Sequence, residues 1–242
     1  MASDSLGDRM KDQYENRTRI MLPRRTYTVI RVDGKAFHTY TRHCEKPNDE
    51  TLAWALDQSA QALCEEAQGS CLAFVQSDEI SILLTDFAQP TTEAWFDGNL
   101  QKICSVAAST VTAVFASNYE RDGQVAIFDA RVFVIPDPVE VENYFIWRQQ
   151  DATRNSIQGL AQSKFSAKQL HGKTTSEMQE MLFQAHGINW NDTEPYWKRG
   201  RCVVYGEQGW TIDRNTPVFT QERTYLSSRV PRQWATEGGD AI

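Results

Sequence analysis

Thr26-Tyr27-Thr28-Val29-Ile30-Arg31-Val32-Asp33-Gly34 decides the fold: it is a β-branched run that reads as a strand and stops at an Asp-Gly turn. Next, Pro47-Asn48-Asp49-Glu50 opens a segment in which Leu52, Leu56, Ala60 and Leu63 recur at helical spacing, with Asn48 or Asp49 as N-cap. Two short apolar runs follow, Cys71-Leu72-Ala73-Phe74-Val75 and Ile80-Ser81-Ile82-Leu83-Leu84. They flank Gln76-Ser77-Asp78-Glu79, as in a β-hairpin with a polar tip. The pattern predicts a second helix from about Trp95 to Ser117, through Ile103, Val106, Val111 and Val114. It predicts a further strand over Ala126–Ile135, stopped by Pro136 and Pro138. The order β-α-β-β-α-β is the split βαβ arrangement of ferredoxin-like α+β folds, with two helices on one sheet face and the other face open.

No repeat or flexible linker divides the chain, so one continuous domain is expected. Residues 1–140 form its α+β part, and residues 141–242 add a helical extension with short strands. That extension reads as a long helix over 140–166, another over 174–186, short strands near Cys202–Tyr205 and 216–226, and a loose tail over 235–242. The 242 residues are 40% hydrophobic and 24% charged, which excludes disordered and disulfide-scaffold classes. No uninterrupted apolar run approaches the roughly 20 residues of a membrane span, and the polar N-terminus lacks the core of a secretory signal. Cys44, Cys64, Cys71, Cys104 and Cys202 are odd in number and contain no CxxC pair. They read as thiols of a cytoplasmic, reducing compartment, with no membrane partner.

The net charge of −7 argues against a nucleic-acid binder, but its distribution does not. Residues 51–100 carry eight acids and no Lys or Arg, whereas Arg148, Arg154, Lys164, Lys168 and Lys173 gather over 145–175 against Asp151 alone. An acidic and a basic region in one chain suit a metal-dependent enzyme with a polyanionic substrate. In the expected sheet, the end of the first strand lies beside the turn that opens the third. Asp33 and Asp78 there can share a divalent cation, and Gly34 lets a backbone carbonyl approach it. Two Mg²⁺ ions at such a place allow in-line attack at phosphorus. The same turns could equally be ordinary Asp-Gly and Ser-Asp-Glu corners.

Arg31-Val32-Asp33-Gly34-Lys35-Ala36-Phe37-His38, Lys46-Pro47-Asn48-Asp49 and Gln76-Ser77-Asp78-Glu79 keep a recognisable order and spacing. With Phe128-Asp129-Ala130-Arg131-Val132 and Tyr144-Phe145-Ile146-Trp147-Arg148-Gln149, they resemble the tRNA(His) guanylyltransferase family. The resemblance implies a polymerase-like palm that adds nucleotides to RNA 5′ ends, tRNA above all, in the 3′-to-5′ direction after activation of the end with ATP or GTP. It implies that Asp33 and Asp78 ligate two Mg²⁺ ions, with the Gly34 carbonyl on one, and that Glu79 belongs to the catalytic group by shaping the tip. Asp33, Gly34, Lys35, Ala36, Phe37 and His38, with Ser77 and Asp78, would line the nucleotide triphosphate site. Lys46, Asn48 and Asp49 would contact base or ribose, and Lys102 would reach a triphosphate. Arg148, Arg154, Asn155, Lys164, Lys168 and Lys173 would hold RNA. A homo-oligomer, dimer or tetramer, is implied as well.

The chain departs from the family at one place. Where the eukaryotic enzymes carry His-Ile-Asn-Asn, this sequence has Thr153-Arg154-Asn155-Ser156, so only Asn155 matches. Loss of the imidazole and gain of a guanidinium change the hydrogen-bond pattern, as in the family's "like proteins", which repair shortened tRNA 5′ ends. Ala167–Thr174 fits a loose phosphate-loop pattern, but a polar helix rather than a buried strand precedes it. Two other functions fit the same fold, a palm-type nucleotide cyclase and a non-catalytic ferredoxin-like RNA-binding module.

Overall fold

The computed structural model describes residues 5–121 and 123–233. Strand β1 is Tyr27–Gly34 and helix α1 is Glu50–Glu66. The hairpin strands β2 and β3 are Ser70–Gln76 and Glu79–Leu84, followed by α2, Leu100–Asn118, and β4, Phe128–Ile135. Helices α3, Pro138–Gln162, and α4, Thr175–His186, then lead to β5, Arg201–Gly206, and β6, Gly209–Asp213. The six strands form one antiparallel sheet in the order β4-β1-β3-β2-β5-β6. The expected β-α-β-β-α-β core is present, and β5 extends the sheet by pairing with β2.

Local chemistry explains where the elements start. Asp49 and Asn99 each accept a backbone N–H of the first helical turn, from Leu52 and Lys102. Asp137 caps α3 ahead of Pro138, and Thr174 with Glu177 forms a capping box on α4. Helix α2 starts at Leu100 rather than Trp95, because Phe96 and Asp97 take left-handed backbone angles (φ 49 and 53) that break the helix. It is long and apolar enough, by length and composition, to cross a membrane. Its buried stripe of Ile103, Ala107, Val111 and Phe115 nonetheless belongs to the core between sheet and helices.

The sheet separates two cores. On one face Ile30, Val32, Ile80 and Ile82 meet α1 and α2 through Leu56, Leu63, Val111 and Phe115. On the other, Val29, Phe74 and Leu83 meet Val141, Phe145 and Ile146 of α3. That second face is therefore covered, contrary to the open face expected from the core topology alone. Beyond the sheet, the far half of α3 packs through Ile157 and Ala161 on Leu170, Met178 and Leu182.

Residues 216–226 are not a strand. The second C-terminal strand is β6, which follows β5 through the Glu207-Gln208 turn. Pro217 has no N–H to give a ladder, and Gln149 of α3 takes the place of a neighbouring strand. It donates to the Pro217 carbonyl and accepts from the Phe219 N–H, both at 2.8 Å. The expected tail over 235–242 lies outside the described residues.

Gly200 leads into β5 with φ 76 and ψ −175, a region that only glycine enters readily. A Cβ there would lie 2.6 Å from the Phe74 ring and 2.7 Å from the Val75 carbonyl oxygen. Gly200→Ala is expected to cost about 2–3 kcal/mol, read as a lower urea midpoint with an unchanged slope. An unchanged midpoint would show that the β2–β5 junction tolerates the side chain.

Candidate active site

The register of β1 against β3 pairs Asp33 with Glu79, so the end of β1 lies beside the two-residue tip Ser77-Asp78. Burial pushes the Asp78 carboxyl above the ordinary carboxylate range. The Ser77 hydroxyl, 3.0 Å from it, opposes the shift, and the nearby Asp33 charge adds to it. Gly34 is needed here. A Cβ would lie 2.3 Å from the Phe37 ring and 3.0 Å from an Asp78 oxygen, so the backbone runs directly against that carboxylate. Non-glycine residues with left-handed backbone stand next to both acids, Ser77 (φ 50) at the tip and Ala36 (φ 52) after the strand. Conformational strain of this kind concentrates where geometry serves function.

A cavity of about 600 Å³ opens beside these acids. One wall carries His38, Lys46, Asn48 and Asp49, the tip supplies Ser77 and Asp78, and α3 supplies Asn155 and Ser156. Its size suits a nucleotide. Asp33, Gly34, Lys35 and Ala36 are not in its lining; Lys35 and Ala36 are exposed just past β1. Asp49 caps α1 through one oxygen, and its other oxygen accepts the Glu45 N–H at 3.3 Å. The Lys46 ammonium donates to the Thr41 carbonyl at 3.0 Å. Phe37 also borders the cavity, but its ring is buried against Tyr40, Phe115 and Phe128.

A family model described as tRNAHis guanylyltransferase matches residues 7–136, and the model of that family's C-terminal domain matches residues 139–234. The chain belongs to the tRNAHis guanylyltransferase family. A bacterial tRNA(His) guanylyltransferase (Thg1)-like protein solved in complex with ATP is similar at 46% identity and a TM-score of 0.88, covering 93% of this chain and 99% of that one. Another such bacterial protein, in complex with GTP, is similar at 43% identity with a TM-score of 0.81, over 94% of this chain and 99% of that one. The tRNA(His) guanylyltransferase of Debaryomyces hansenii is 31% identical over 212 residues, 79% of this chain and 77% of the relative. The chain is thus a nucleotidyltransferase, and the cyclase and simple binding-module readings fall away.

Against this family frame, two expected roles need correction. Arg148 does not face RNA: its side chain is 2% exposed, and it grips Glu79 through two hydrogen bonds of 2.7 Å and Asp151 through a third. Arg31 of β1 holds the same Glu79 carboxylate at 2.6 Å. Glu79 is therefore a buried positioning residue that ties β1, the hairpin and α3 together, and its oxygens are taken up by guanidinium groups. Lys102 is also misplaced. It sits in the first turn of α2, its ammonium 4.9 Å from the Phe96 ring centre, whereas Phe115 of the same helix packs on Phe37 beside the site. Lys102 lies thirteen positions before Phe115, about 20 Å along the helix, and it is not in the lining of the cavity.

The remaining basic residues are solvated. Lys164 and Lys168 are exposed, Lys173 pairs with Glu177 at 3.1 Å, and Arg154 pairs with Asp151 at 2.8 Å outside the cavity lining. Asn155, exposed in the cavity lining, donates to Gln76 at 3.3 Å. Several acids of the 51–100 block are already paired within the fold. Asp57 is held by Arg201 and Arg214, Glu79 by Arg31 and Arg148, and Asp86 by Arg24. Sequence reasoning passed over Gln76, Asp57 and Arg201. One signal was available: Asp57 falls within the apolar helical stripe that contains Leu56 and Ala60, where a lone charge needs a buried partner.

Arg148→Met should destabilise the protein by about 3 kcal/mol, because Glu79 loses a buried partner. The salt dependence of RNA affinity should stay that of the wild type. A flattened salt slope with unchanged stability would return Arg148 to the RNA surface.

Proposed function

We propose that this chain is a Mg²⁺-dependent 3′-to-5′ nucleotidyltransferase that adds nucleotides to the 5′ end of tRNA, with a preference for 5′-truncated ends over guanosine addition to intact tRNA(His). The observation that carries the reading is the pair Asp33 and Asp78 at adjoining strand ends, with Asp78 in the lining of a nucleotide-sized cavity. Among the described residues no group of three His, Cys, Asp or Glu converges on one point. Two carboxylates without a third suit Mg²⁺, which takes one or two protein carboxylates and fills its octahedron with water and substrate phosphates. The Gly34 backbone, packed against Asp78, is placed to add a carbonyl oxygen. Two ions bound there would supply neutralisation of the triphosphate and of charge developing at phosphorus.

The chain's own residues position the substrates. A 5′-phosphate oxygen of the RNA attacks the α-phosphorus of ATP or GTP, and pyrophosphate leaves. The 3′-hydroxyl of the incoming nucleotide then attacks the activated 5′ phosphorus, and the nucleoside monophosphate leaves. Ser77, with its hydroxyl at the exposed tip, and His38 in the cavity lining would orient phosphates, and Lys46 in the same lining would reach the base or ribose. Asn48 and Asp49 border the space for the sugar. Such transfer needs alignment and charge stabilisation more than covalent help.

Residues 1–140 would carry this chemistry, and the extension over 141–242 would present Lys164, Lys168, Lys173 and Arg154 to RNA phosphates. Residues 153–156 support the altered substrate choice. The Ser156 hydroxyl accepts from the Trp190 indole at 3.0 Å and Asn155 is engaged with Gln76, so these two side chains are committed to internal bonds while Arg154 stays exposed. Five cysteines free of disulfides accord with a cytoplasmic protein. Exposed Leu6, Tyr14 and Ile20 on the N-terminal arm support assembly into a dimer or tetramer.

Full-length tRNA(His) and a 5′-truncated tRNA, offered side by side with all four nucleotides, test the reading. Templated addition to the truncated RNA is expected to dominate. Asp33→Ala and Asp78→Ala should each lower it about 1,000-fold or more while the circular dichroism spectrum stays unchanged. Near-normal turnover by either folded variant would remove the metal assignment, and dominant guanosine addition to full-length tRNA(His) would remove the proposed preference.

A further inference from the structure

A short helix, Pro195–Arg199, packs on α3 just before Gly200 and β5, and it holds two aromatic rings that the proposed chemistry leaves unused. Tyr196 and Trp197 both line the cavity, half-buried, and neither belongs to the three apolar cores. Tyr196 is anchored: its hydroxyl donates to Glu50 at 2.5 Å, and the Arg214 guanidinium lies 5.0 Å from its ring centre. Arg214 is held in turn by Asp57 at 3.2 Å and by Glu50 at 3.5 Å. The Trp197 ring sits 4.9 Å from that of Tyr196, tilted by 41°. Rings fixed in this way give a rigid surface that needs little further ordering when a flat ligand arrives.

The chemistry of the rings selects a base rather than a phosphate. An aromatic face is electron-rich and disfavours phosphate oxygens, whereas a nucleobase stacks on it. The position agrees. Glu50, to which Tyr196 donates, directly follows Asn48 and Asp49, so the rings adjoin the wall assigned to the sugar. Lys46, Asn48 and Asp49 can meet a base or ribose through hydrogen bonds, which leaves the flat faces of the base to be met by other groups. Every base has a π-face, so a stacking contact accepts all four nucleotides, as templated addition requires.

We propose that Tyr196 and Trp197 form a stacking platform for the base of the bound nucleoside triphosphate, with Trp197 supplying the face and Tyr196 bracing it. This rests on the nucleotide reading of the cavity. Calorimetric titration of the full chain in Mg²⁺ with ATP, GTP, CTP, UTP and inorganic tripolyphosphate tests both. Trp197→Ala is expected to weaken all four nucleotides about 10- to 100-fold and to leave tripolyphosphate affinity unchanged. Trp197→Phe keeps an aromatic face and should retain most of the affinity. Trp197→Leu fills the space without such a face, so it should show the same loss even if the alanine variant fails to fold. Unchanged nucleotide affinity in Trp197→Leu overturns the proposal, as does a parallel loss of tripolyphosphate binding or a loss confined to RNA binding. A wild type that binds none of the four nucleotides overturns the nucleotide reading itself.

Discussion

Glu79 is the constraint on which the rest of the site depends. Its buried carboxylate is held by Arg31 from β1 and by Arg148 from α3, while Gln76 donates to it across the hairpin at 3.3 Å. Three elements are thereby tied together beside the tip. Burying such a cluster brings little net stability, since desolvation offsets most of the attraction. What it supplies is geometry: Asp78 is the neighbouring residue, and Asp33 is the register partner of Glu79. One charged residue thus stands beside both acids of the proposed metal centre, and Asn155 joins the same network through Gln76.

The protein confines electrostatic tension to the place where a ligand relieves it. Asp57, Glu79 and Asp86 are buried acids with arginine partners from distant parts of the chain. Asp78 has the Ser77 hydroxyl and its own backbone N–H but no arginine partner among the described residues, and its carboxyl is pushed upward by burial and by Asp33. Arg131 reaches Asp33 no closer than 3.5 Å from the exposed side of the sheet. Two acids so placed repel each other, and a divalent cation with its phosphates reverses the sign of that interaction. Ser77 and Ala36 hold strained backbone in the same few residues, so the local cost of folding is spent on the reacting geometry.

The core topology was legible because its signals are local. The β-branched and apolar runs of the strands, helical recurrence in α1 and the polar hairpin tip each read out within a dozen residues. The motif residues of the cavity wall and tip were legible by resemblance, and His38, Lys46, Asn48, Asp49, Ser77 and Asp78 do line one cavity. What failed was anything that depends on a partner far along the chain. Arg148 looks basic and helical in sequence, and only the fold shows that Glu79 neutralises it. Lys102 lies on the right helix but at its wrong end. The segment 216–226 carries strand-like residues, yet Gln149 meets its backbone in place of a strand. The Arg201–Asp57 pair spans most of the chain and leaves no local trace beyond a charge on an apolar helix face.

The central claim is that Asp33 and Asp78 form one metal and phosphate centre at the mouth of the cavity. Anomalous diffraction from crystals grown with Mn²⁺ and a non-hydrolysable GTP analogue measures this directly. The account predicts anomalous density within coordination distance of both carboxylates, with the triphosphate beside Ser77 and the base turned inward between α1 and α3. Density that touches neither Asp33 nor Asp78, with the triphosphate bound away from the tip, would contradict it.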